Sequence, residues 1–392
     1  MFKNFIYCLI YYALFSPLFL LILIFRLFFK FRVVELESRA IGHFSLPVEI
    51  FLCEIKLGIH GNKEKLFWFC NKKVSNKFLL KKWNNLCFVG PRILLEKIFK
   101  LSNNIKIFEN LFLSQYRHWS KTDDWQAIDI HDVLSRTDPM IKFTKGEHDL
   151  AEISFQKIFL QMPKKYICFF SRSHHYRGGE PCIRDSSIYT QLKGINRVCE
   201  DNLYALRVSK LDKGSPINAN NKRIFDYAYS DQKSDFLDIY LLFHCSYMVS
   251  TGSGIEEVPK LNRKKILLVD YCDAPAMHRL VLVPIILPKK IINLRTRNLV
   301  GYGEIFKKNL LQPKATHASL GLLGYDYLDN TEDEIEKAIM EMHSLAVYGK
   351  QLEKNSLNDK FWILYEKHYQ KSRPKNTFVS PSFLEGNQDL IV

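Results

Sequence analysis

The sequence lacks the patterns that most directly identify a nucleotide-binding, metal-binding or disulfide-rich protein. Neither the GxxxxGK(S/T) phosphate loop nor the GxGxxG dinucleotide fingerprint occurs in it. Nine cysteines among 392 residues are too few for a disulfide scaffold, and none of them forms a CxxC pair or a Cys/His finger. We therefore expect buried or surface thiols in a reducing compartment.

Basic residues outnumber acidic residues. The 56 Lys and Arg and the 41 Asp and Glu give a formal net charge of +15. Such a balance suits nucleic acid, an anionic membrane surface or small phosphorylated molecules. The lysines are spread along the chain and no nucleic-acid-binding motif is recognised, so we expect no nucleic-acid partner. The hydrophobic fraction of 47% indicates a globular protein, and the length suggests two domains.

A single long uncharged apolar run is present, at residues 5–25 (FIYCLIYYALFSPLFLLILIF). As a helix it would reach about 30 Å, the thickness of a bilayer's hydrocarbon core. Lys3 precedes the run and Arg26, Lys30 and Arg32 follow it, so the positive-inside rule puts the rest of the chain in the cytoplasm. We predict a single-pass anchor in the inner (cytoplasmic) membrane. A cleaved signal peptide and a helix lying in the membrane plane are the alternatives.

Beyond the anchor, strand-like and helix-like segments alternate. Strand-like runs at 33–37, 65–70 and 87–89 are each followed by a helical pattern, and a second series begins with the apolar run 166–170. This alternation predicts an α/β fold with two Rossmann-like domains built on parallel sheets. The expected division is an anchor at 1–32, an N-terminal domain at 33–163, a C-terminal domain at 164–350, and a helical segment with a tail at 351–392.

Local patterns refine this division. Two capping boxes, Thr144 with Glu147 and Thr331 with Glu334, predict helix starts. Ser234 is the expected N-cap of a further helix. We also expect a helix at 46–57, a loop at 38–43, a strand at 225–229, and loose packing from residue 371 onward.

The clearest local signal for a binding site is the segment 247–255 (YMVSTGSGI), where a strand leads into a Gly-Ser-Gly loop and then a helix. Glycines allow the backbone to approach a ligand closely, and N–H groups at a helix start favour a phosphate. An ordinary tight turn explains the same residues equally well. The loop Thr251, Gly252, Ser253 and Gly254 is thus a candidate phosphate site.

Two arginines end other apolar strands, Arg172 after 166–170 and Arg207 after 203–206. Ligands of open parallel sheets bind beyond the carboxyl ends of the strands, and guanidinium groups suit diphosphates because they are always charged and bidentate. Taken separately, each arginine is more often an ordinary surface residue, but the coincidence of two arginines and a glycine loop at three strand ends favours a ligand site.

His43 lies in the first strand-to-helix loop together with Arg39. Histidine titrates near neutral pH and could take a proton from a hydroxyl; a structural histidine is the alternative. We expect no metal site: the adjacent pair His174 and His175 lacks partner ligands, and no acidic pair stands at an obvious strand end. Asp123–Asp124 is the nearest acidic candidate.

These residues, in this order, resemble a group of bacterial glycosyltransferases found with surface-polysaccharide genes, of the two-Rossmann-domain (GT-B) type. The family's pattern opens with Arg-x-Gly-His and a glutamate six residues later, which Arg39, Gly42, His43 and Glu49 match. The further matches, in chain order, are Arg172 with Tyr176, then 184–188, 206–209, 226–228, 235–238, 251–254 and 341–342.

The resemblance implies transfer of a sugar from a nucleotide-sugar donor to a membrane-associated glycan or lipid-linked acceptor in polysaccharide or lipopolysaccharide synthesis. We expect a metal-independent, inverting reaction that needs no cofactor, with the acceptor on the first domain and the donor on the second. His43 would be the general base, with Arg39 in the same motif. The donor would be bound by Arg172, Arg207, Asp226, Thr251, Gly252, Ser253 and Gly254.

Two residues depart from the family pattern. Ser173 stands where an aspartate is usual, and Ser209 stands where a glycine is usual. They favour an alternative from another functional class, a catalytically inactive membrane-bound scaffold or binding protein with the same fold.

Overall fold

The computed structural model divides the chain into two compact units, 1–142 and 143–392. In the part of the chain that it describes, no helix is both long enough and apolar enough to span a bilayer. Most of the expected anchor, 5–25, lies outside that part. The described residues are 31–59, 65–70, 72–90, 112–114, 129–159, 165–173, 181–208, 216–352 and 355–391, with single positions at 17, 20, 21, 24, 28 and 96.

The first unit contains a parallel sheet whose described strands lie in the order β3-β2-β1-β4. The central strand β1 (Phe31–Leu36) pairs with β2 (Lys65–Cys70) on one side and with β4 (Phe112–Ser114) on the other, and β3 (Phe88–Val89) lies beyond β2. Three of these strands confirm the runs predicted at 33–37, 65–70 and 87–89. The described helices of this unit are α1 (Ile41–Phe44), α2 (Leu46–Lys56), α3 (Lys77–Asn84) and α4 (Val133–Arg136).

Aromatic packing fixes α2 and α3 to the body of the first unit. The ring of Phe51 on α2 meets the buried ring of Trp68 edge-on, with 5.3 Å between centroids. The indole Nε1 of fully buried Trp83 donates to the carbonyl oxygen of Phe44 at 2.8 Å. The second contact bonds a side chain of α3 to the last residue of α1. It therefore fixes the segment between β1 and α2.

The second unit is built on a larger parallel sheet, whose described strands lie in the order β13-β10-β9-β8-β5-β6-β7. Every pairing between neighbours in this sheet is parallel, which confirms the predicted α/β fold. The strands are β5 (Tyr166–Phe169), β6 (Tyr204–Arg207), β7 (Ile224–Asp226), β8 (Met248–Ser250), β9 (Ile266–Tyr271), β10 (Ile285–Pro288) and β13 (Phe378–Val379).

An antiparallel pair, β11 (Lys290–Asn293) with β12 (Tyr325–Leu328), adds a small second sheet to this unit. The long helix α11 packs against α6 and the sheet. The described helices of the unit are α5 (Lys145–Phe159), α6 (Tyr189–Glu200), α7 (Asp235–His244), α8 (Glu257–Lys260), α9 (Tyr302–Lys307), α10 (His317–Gly321), α11 (Glu332–Tyr348), α12 (Ser356–Tyr369) and α13 (Pro381–Gly386).

The boundary between the units falls before α5, whereas the sequence analysis placed it after residue 163. Helix α5 groups with the second unit because its side chains pack there: the His148 Nδ1 atom lies 2.8 Å from the Tyr240 hydroxyl. The ring of Phe159 lies 5.1 Å from that of Tyr204 and 5.2 Å from that of Phe225. The helix thus covers the β6–β7 side of the larger sheet.

The predicted helix starts are confirmed. Thr144 and Glu147 exchange side-chain to backbone hydrogen bonds, and Thr331 and Glu334 do the same. The Ser234 side chain caps α7 by accepting from the Leu237 N–H group. Local sequence was sufficient here, because the two partners of each bond lie three residues apart.

Three local predictions are wrong. Residues 41–44 form the helical turn α1, so His43 lies in a helix instead of a loop. The strand expected at 225–229 ends at Asp226 and continues as a 3₁₀ turn (Tyr227–Tyr229). The tail is packed instead of loose: β13 pairs with β10, and Val379, Phe383 and Leu384 are buried. Its burial depends on a partner strand about ninety positions away, which no local pattern encodes.

Candidate functional site

The larger sheet reverses its strand order between β5 and β8. From β5 the chain builds outward through β6 and β7, then returns to place β8 on the other side of β5 and continues to β9 and β10. The loops that follow β5 and β8 therefore diverge from adjacent strands, and in open parallel sheets this switch point is where ligands bind. The two loops are joined by a hydrogen bond from the Arg172 N–H to the Thr251 Oγ1, at 3.1 Å.

The loop after β8 has a backbone shape that favours glycine. Gly252 has φ +81°, and a Cβ added there would lie 3.3 Å from the ring of Tyr271. Beneath the loop, buried Glu256 accepts from the Ser250 hydroxyl and from the Ser253 N–H, both at 2.8 Å. Burial raises the pKa of the Glu256 carboxyl, which the positive charge of Lys260 partly opposes. The predicted segment 251–254 is therefore a tightly held loop at the carboxyl edge of the sheet.

Arg172 lies at this edge, as predicted, but it is engaged with the protein. Its Nε lies 3.4 Å from the Asp185 Oδ1, and both side chains are only 12–13% exposed. Asp185 Oδ2 in turn accepts from the Cys182 N–H at 2.8 Å. Part of the Arg172 charge is therefore balanced inside the chain.

Arg207 and Asp226 face each other at the ends of the neighbouring strands β6 and β7. The Arg207 Nη1 lies 3.0 Å from the Asp226 Oδ2, which also accepts from the Ile217 N–H at 2.8 Å. The Arg207 guanidinium lies over the ring of Tyr229, 5.4 Å from its centroid. The two predicted donor residues thus form an ion pair, and their role in donor binding stays a prediction.

Sequence analysis missed the role of Arg184, which touches the glycine loop directly. Its Nη2 donates to the Gly252 carbonyl oxygen at 2.8 Å. Ser186, two residues on, donates its hydroxyl to Asp270 Oδ2 at 2.5 Å and its N–H to the Arg172 carbonyl at 2.9 Å. The sequence indicates 184–188 only as a motif match, because nothing in its local pattern shows which loops it bridges.

Lys289 was also missed. It directly follows the apolar strand β10, and its fully buried Nζ donates to the Asp185 carbonyl oxygen at 2.9 Å and to the Asp329 carboxylate. The sequence contains the signal, since an apolar strand followed by a cation is the same pattern that predicts a site at Arg172. Lys289 fixes the 184–188 segment to the end of β10.

Asp270, at the end of β9, is the buried carboxyl at the centre of this edge. It has φ +49°, and its Oδ1 accepts from the Asn330 backbone N–H at 2.7 Å and from the Asn330 side-chain Nδ2 at 3.0 Å. Burial raises the pKa of Asp270, while the positive charge of Lys289 acts in the opposite direction.

The first unit places its candidate residues after β1, which is likewise the point where strand order reverses, between β1 and β4. Arg39 holds Glu37 in a bidentate ion pair, with Nε to Oε1 at 2.7 Å and Nη2 to Oε2 at 2.5 Å. Burial raises the pKa of Glu37, but the hydrogen bonds from Arg39 and the nearby charge of His43 outweigh it, so that this pKa lies below its ordinary value. His43 thus lies near the Glu37 carboxylate, which sequence analysis had not connected with it.

Glu49 was matched to the family motif, and it is fully buried. Its Oε1 accepts from the Met140 N–H at 2.9 Å and lies 3.7 Å from the Cys53 Sγ. The structure therefore gives Glu49 a packing role between α2 and the segment after α4. The motif residues Tyr176 and Ser209, the pair His174–His175 and the acidic pair Asp123–Asp124 lie outside the described residues.

No protein-family model matches the chain, and no curated protein matches it. A glycosyltransferase family 9 structure from Veillonella parvula aligns over 80% of this chain and 98% of that one, at 10% identity and a TM-score of 0.44. ADP-heptose LPS heptosyltransferase II from E. coli aligns over 60% and 84%, at 10% identity and a TM-score of 0.38. UDP-GlcNAc 2-epimerase from Neisseria meningitidis aligns over 61% and 82%, at 13% identity and a TM-score of 0.27. Similarities this distant assign neither a family nor an activity.

Proposed function

We propose that this chain is a glycosyltransferase of the GT-B type that moves a sugar from a nucleotide-sugar donor to a glycan or lipid-linked acceptor at the membrane. The second unit binds the donor and the first unit binds the acceptor. The apolar run at 5–25, with its following basic residues, anchors the chain in the inner membrane with both units in the cytoplasm. The product belongs to surface polysaccharide or lipopolysaccharide.

The observation that carries this proposal is the pair of joined loops at the switch point of the larger sheet. Arg172 and Thr251 are bonded across that point, and the positive φ of Gly252 brings backbone to its rim. A parallel sheet with a glycine loop and cations at this place is suited to the phosphates of a nucleotide. The motifs follow one another in the order typical of the glycosyltransferase family that the sequence resembles. This order favours a nucleotide sugar over other nucleotides as the ligand.

The chemistry that we assign to the first unit is base catalysis by His43. The acceptor hydroxyl oxygen forms a bond to the anomeric carbon, while the bond from that carbon to the phosphate oxygen breaks. The hydroxyl proton goes to His43, and the nucleotide leaves with the electron pair of the broken bond. Attack opposite to the leaving group inverts the anomeric configuration. The Glu37 carboxylate favours the protonated form of His43 that this step produces.

Charge on the leaving nucleotide is balanced by cationic side chains at the carboxyl edge of the sheet, which serve the purpose that a metal ion serves elsewhere. We therefore expect donor binding and turnover to be insensitive to EDTA. Metal-independent transfer is the part of this proposal that EDTA tests directly.

The proposal is tested on the full-length chain in detergent. Thermal unfolding is recorded with UDP-, GDP-, ADP- and CMP-sugars, each with and without EDTA, followed by detection of labelled product on extracted lipid acceptors. A donor at ~100 times its Kd stabilises the fold by about 2.7 kcal/mol, a shift of several degrees in Tm. Stabilisation by one nucleotide class together with labelled product would support the transferase.

A matched pair of variants locates the site. Gly252→Ala places a methyl group beside Tyr271 in the candidate loop, and Gly324→Ala places one in open space at nearly the same φ, +82°. Donor binding lost in the first variant and kept in the second assigns binding to the loop. Binding without any product would favour the scaffold alternative, to which Ser173 and Ser209 point.

A further inference from the structure

The turns beside the antiparallel pair β11–β12 carry leucine side chains that are exposed to solvent. Leu322 and Leu323 follow α10 and are 91% and 61% exposed, and Leu299, which follows β11, is 39% exposed. Single exposed leucines are ordinary on protein surfaces, whereas neighbouring ones mark a contact site. We call the two turns 294–299 and 321–324 the leucine tip.

Backbone hydrogen bonds hold these two turns against each other. The Leu294 N–H donates to the Gly324 carbonyl oxygen at 2.9 Å, directly beyond the end of the β11–β12 ladder. Leu299 returns along β11 and forms an antiparallel bridge with Ile292. The exposed leucines therefore belong to one small surface, although they come from separate segments of the chain.

Each turn is also fixed by hydrogen bonds of its own. The Asn293 side chain accepts from two backbone N–H groups of the first turn, at 3.0 and 3.1 Å. In the second turn, the Leu323 N–H donates to the Leu320 carbonyl oxygen at 2.9 Å. The exposure of Leu322 and Leu323 is therefore a property of a backbone that these bonds hold in place.

The leucine tip lies in a positively charged part of the chain. Residues 294–328 contain five Lys and Arg and only two carboxylates, Glu304 and Asp326. Glu304 is already paired with a lysine of the same segment at 2.8 Å. Arg295 and Arg297, on the first turn, are exposed, and in the described part of the chain neither guanidinium forms an ion pair. The tip thus presents apolar side chains and positive charge together.

An anionic membrane surface complements both of these features. Leucine side chains are stabilised when they leave water for the boundary between headgroups and acyl chains, and Lys and Arg beside them are attracted to anionic lipids. A second copy of the same tip is a poorer match, because it would bring like charges together.

We propose that the leucine tip docks the second unit on an anionic lipid surface. Leu322 and Leu323 enter the headgroup region, and Arg295 and Arg297 bind lipid phosphates. This inference goes beyond the proposed function and does not depend on sugar transfer. It adds a lipid contact in the second unit to the anchor predicted at 5–25.

The test detects lipid contact at the tip itself. The full-length chain is mixed with vesicles of phosphatidylcholine alone, or of phosphatidylcholine and phosphatidylglycerol in equal amounts. Leu322→Trp places an indole at the tip, and bromine-substituted acyl chains quench an indole that contacts them. The fluorescence of the wild-type chain, which has five tryptophans, is subtracted. In vesicles with phosphatidylglycerol, the added fluorescence should fall by about half or more.

The matched position control is Ile153→Trp. Ile153 is 53% exposed on α5, which covers the β6–β7 end of the larger sheet, far along the strand order from β10 and the tip. Its added fluorescence should be unchanged by brominated lipid. The Tm of each variant without lipid checks its fold, which the replacement of so exposed a side chain as Leu322 should preserve.

A second pair of variants tests the role of charge. In the Leu322→Trp chain, Arg295→Gln together with Arg297→Gln should remove most of the quenching. Lys145→Gln together with Lys157→Gln lowers the net charge equally at exposed positions of α5 and should leave the quenching intact.

Four outcomes overturn the inference. They are absence of quenching at 322, equal quenching at 322 and 153, equal quenching in the two kinds of vesicle, and quenching that the two arginine substitutions do not reduce. A tip indole that becomes shielded from water without lipid, as the protein concentration rises, would also overturn it, in favour of a second copy. Lipid contact at 322 without any sugar transfer supports the leucine tip and refutes the proposed function.

Discussion

The substitution Lys289→Met tests the buried charge network beneath the candidate site. The Lys289 Nζ is fully buried between the Asp329 carboxylate and the Asp185 carbonyl, and methionine fills a similar volume without the charge. Removing one partner of a buried ion pair costs about 3–5 kcal/mol. Because the Asp329 side chain is 35% exposed and water can take over part of the interaction, we expect the lower end, about 3 kcal/mol.

The effect should depend on pH in a defined direction. Asp270 has a pKa raised by burial above its ordinary value, and Lys289 opposes that rise. A carboxyl with a raised folded pKa favours the native state at low pH and costs stability as the pH rises through that pKa. Loss of Lys289 raises the pKa of Asp270 further. Lys289→Met should therefore destabilise more at pH 7.5 than at pH 5.

Thermal and urea unfolding of the full-length chain measure this. For a unit of about 250 residues (143–392), about 3 kcal/mol corresponds to a Tm decrease of roughly 6–12 °C. The control Lys308→Met removes an exposed pair with Glu304, in which both side chains are nearly half exposed, and should leave the stability almost unchanged. Equal effects of the two substitutions, or a Lys289→Met effect that does not change with pH, would refute the reasoning.

Three further predictions concern the base, the tail and a buried histidine. If His43 is the general base, His43→Ala should reduce kcat by ~10²–10⁴-fold. Glu37→Gln removes the charge that favours protonated His43, so it should move the acid limb of the pH profile of kcat/KM to lower pH. An unchanged kcat in the first variant, or an unchanged acid limb in the second, contradicts this. Phe383→Ala should destabilise by about 3–5 kcal/mol in urea unfolding because its side chain is 1% exposed, and a loose tail would give almost none. Burial, together with the charges of His148 and Lys264, lowers the pKa of His244 to about 4. Stability from this group is present above pH ~6.5 and lost as the pH falls towards 4, so His244→Phe should flatten that decline in unfolding titrations.

The local sequence determined which segments form elements and where several of them begin. Thr144, Ser234 and Thr331 cap the helices that their neighbouring residues predicted, because a cap needs only partners three residues away. The apolar run 166–170 is buried at every position, because a parallel sheet covered on both faces excludes water from both sides of a strand. The positions of Arg172 and of the loop 251–254 could also be predicted, because the end of an apolar strand can be recognised in the sequence.

Only the tertiary structure decided which of these ends meet, and with what partners. The ion pair of Arg207 with Asp226 and the bond from Arg184 to Gly252 join strands and loops that are far apart in the chain. The ion pair of Lys289 with Asp329 likewise joins two distant segments, and the order of the strands brings these segments together. A charge in a sequence shows only that a cation or carboxylate is available. Its partner, and therefore its net charge at a site, follows from the register and order of the strands that carry it.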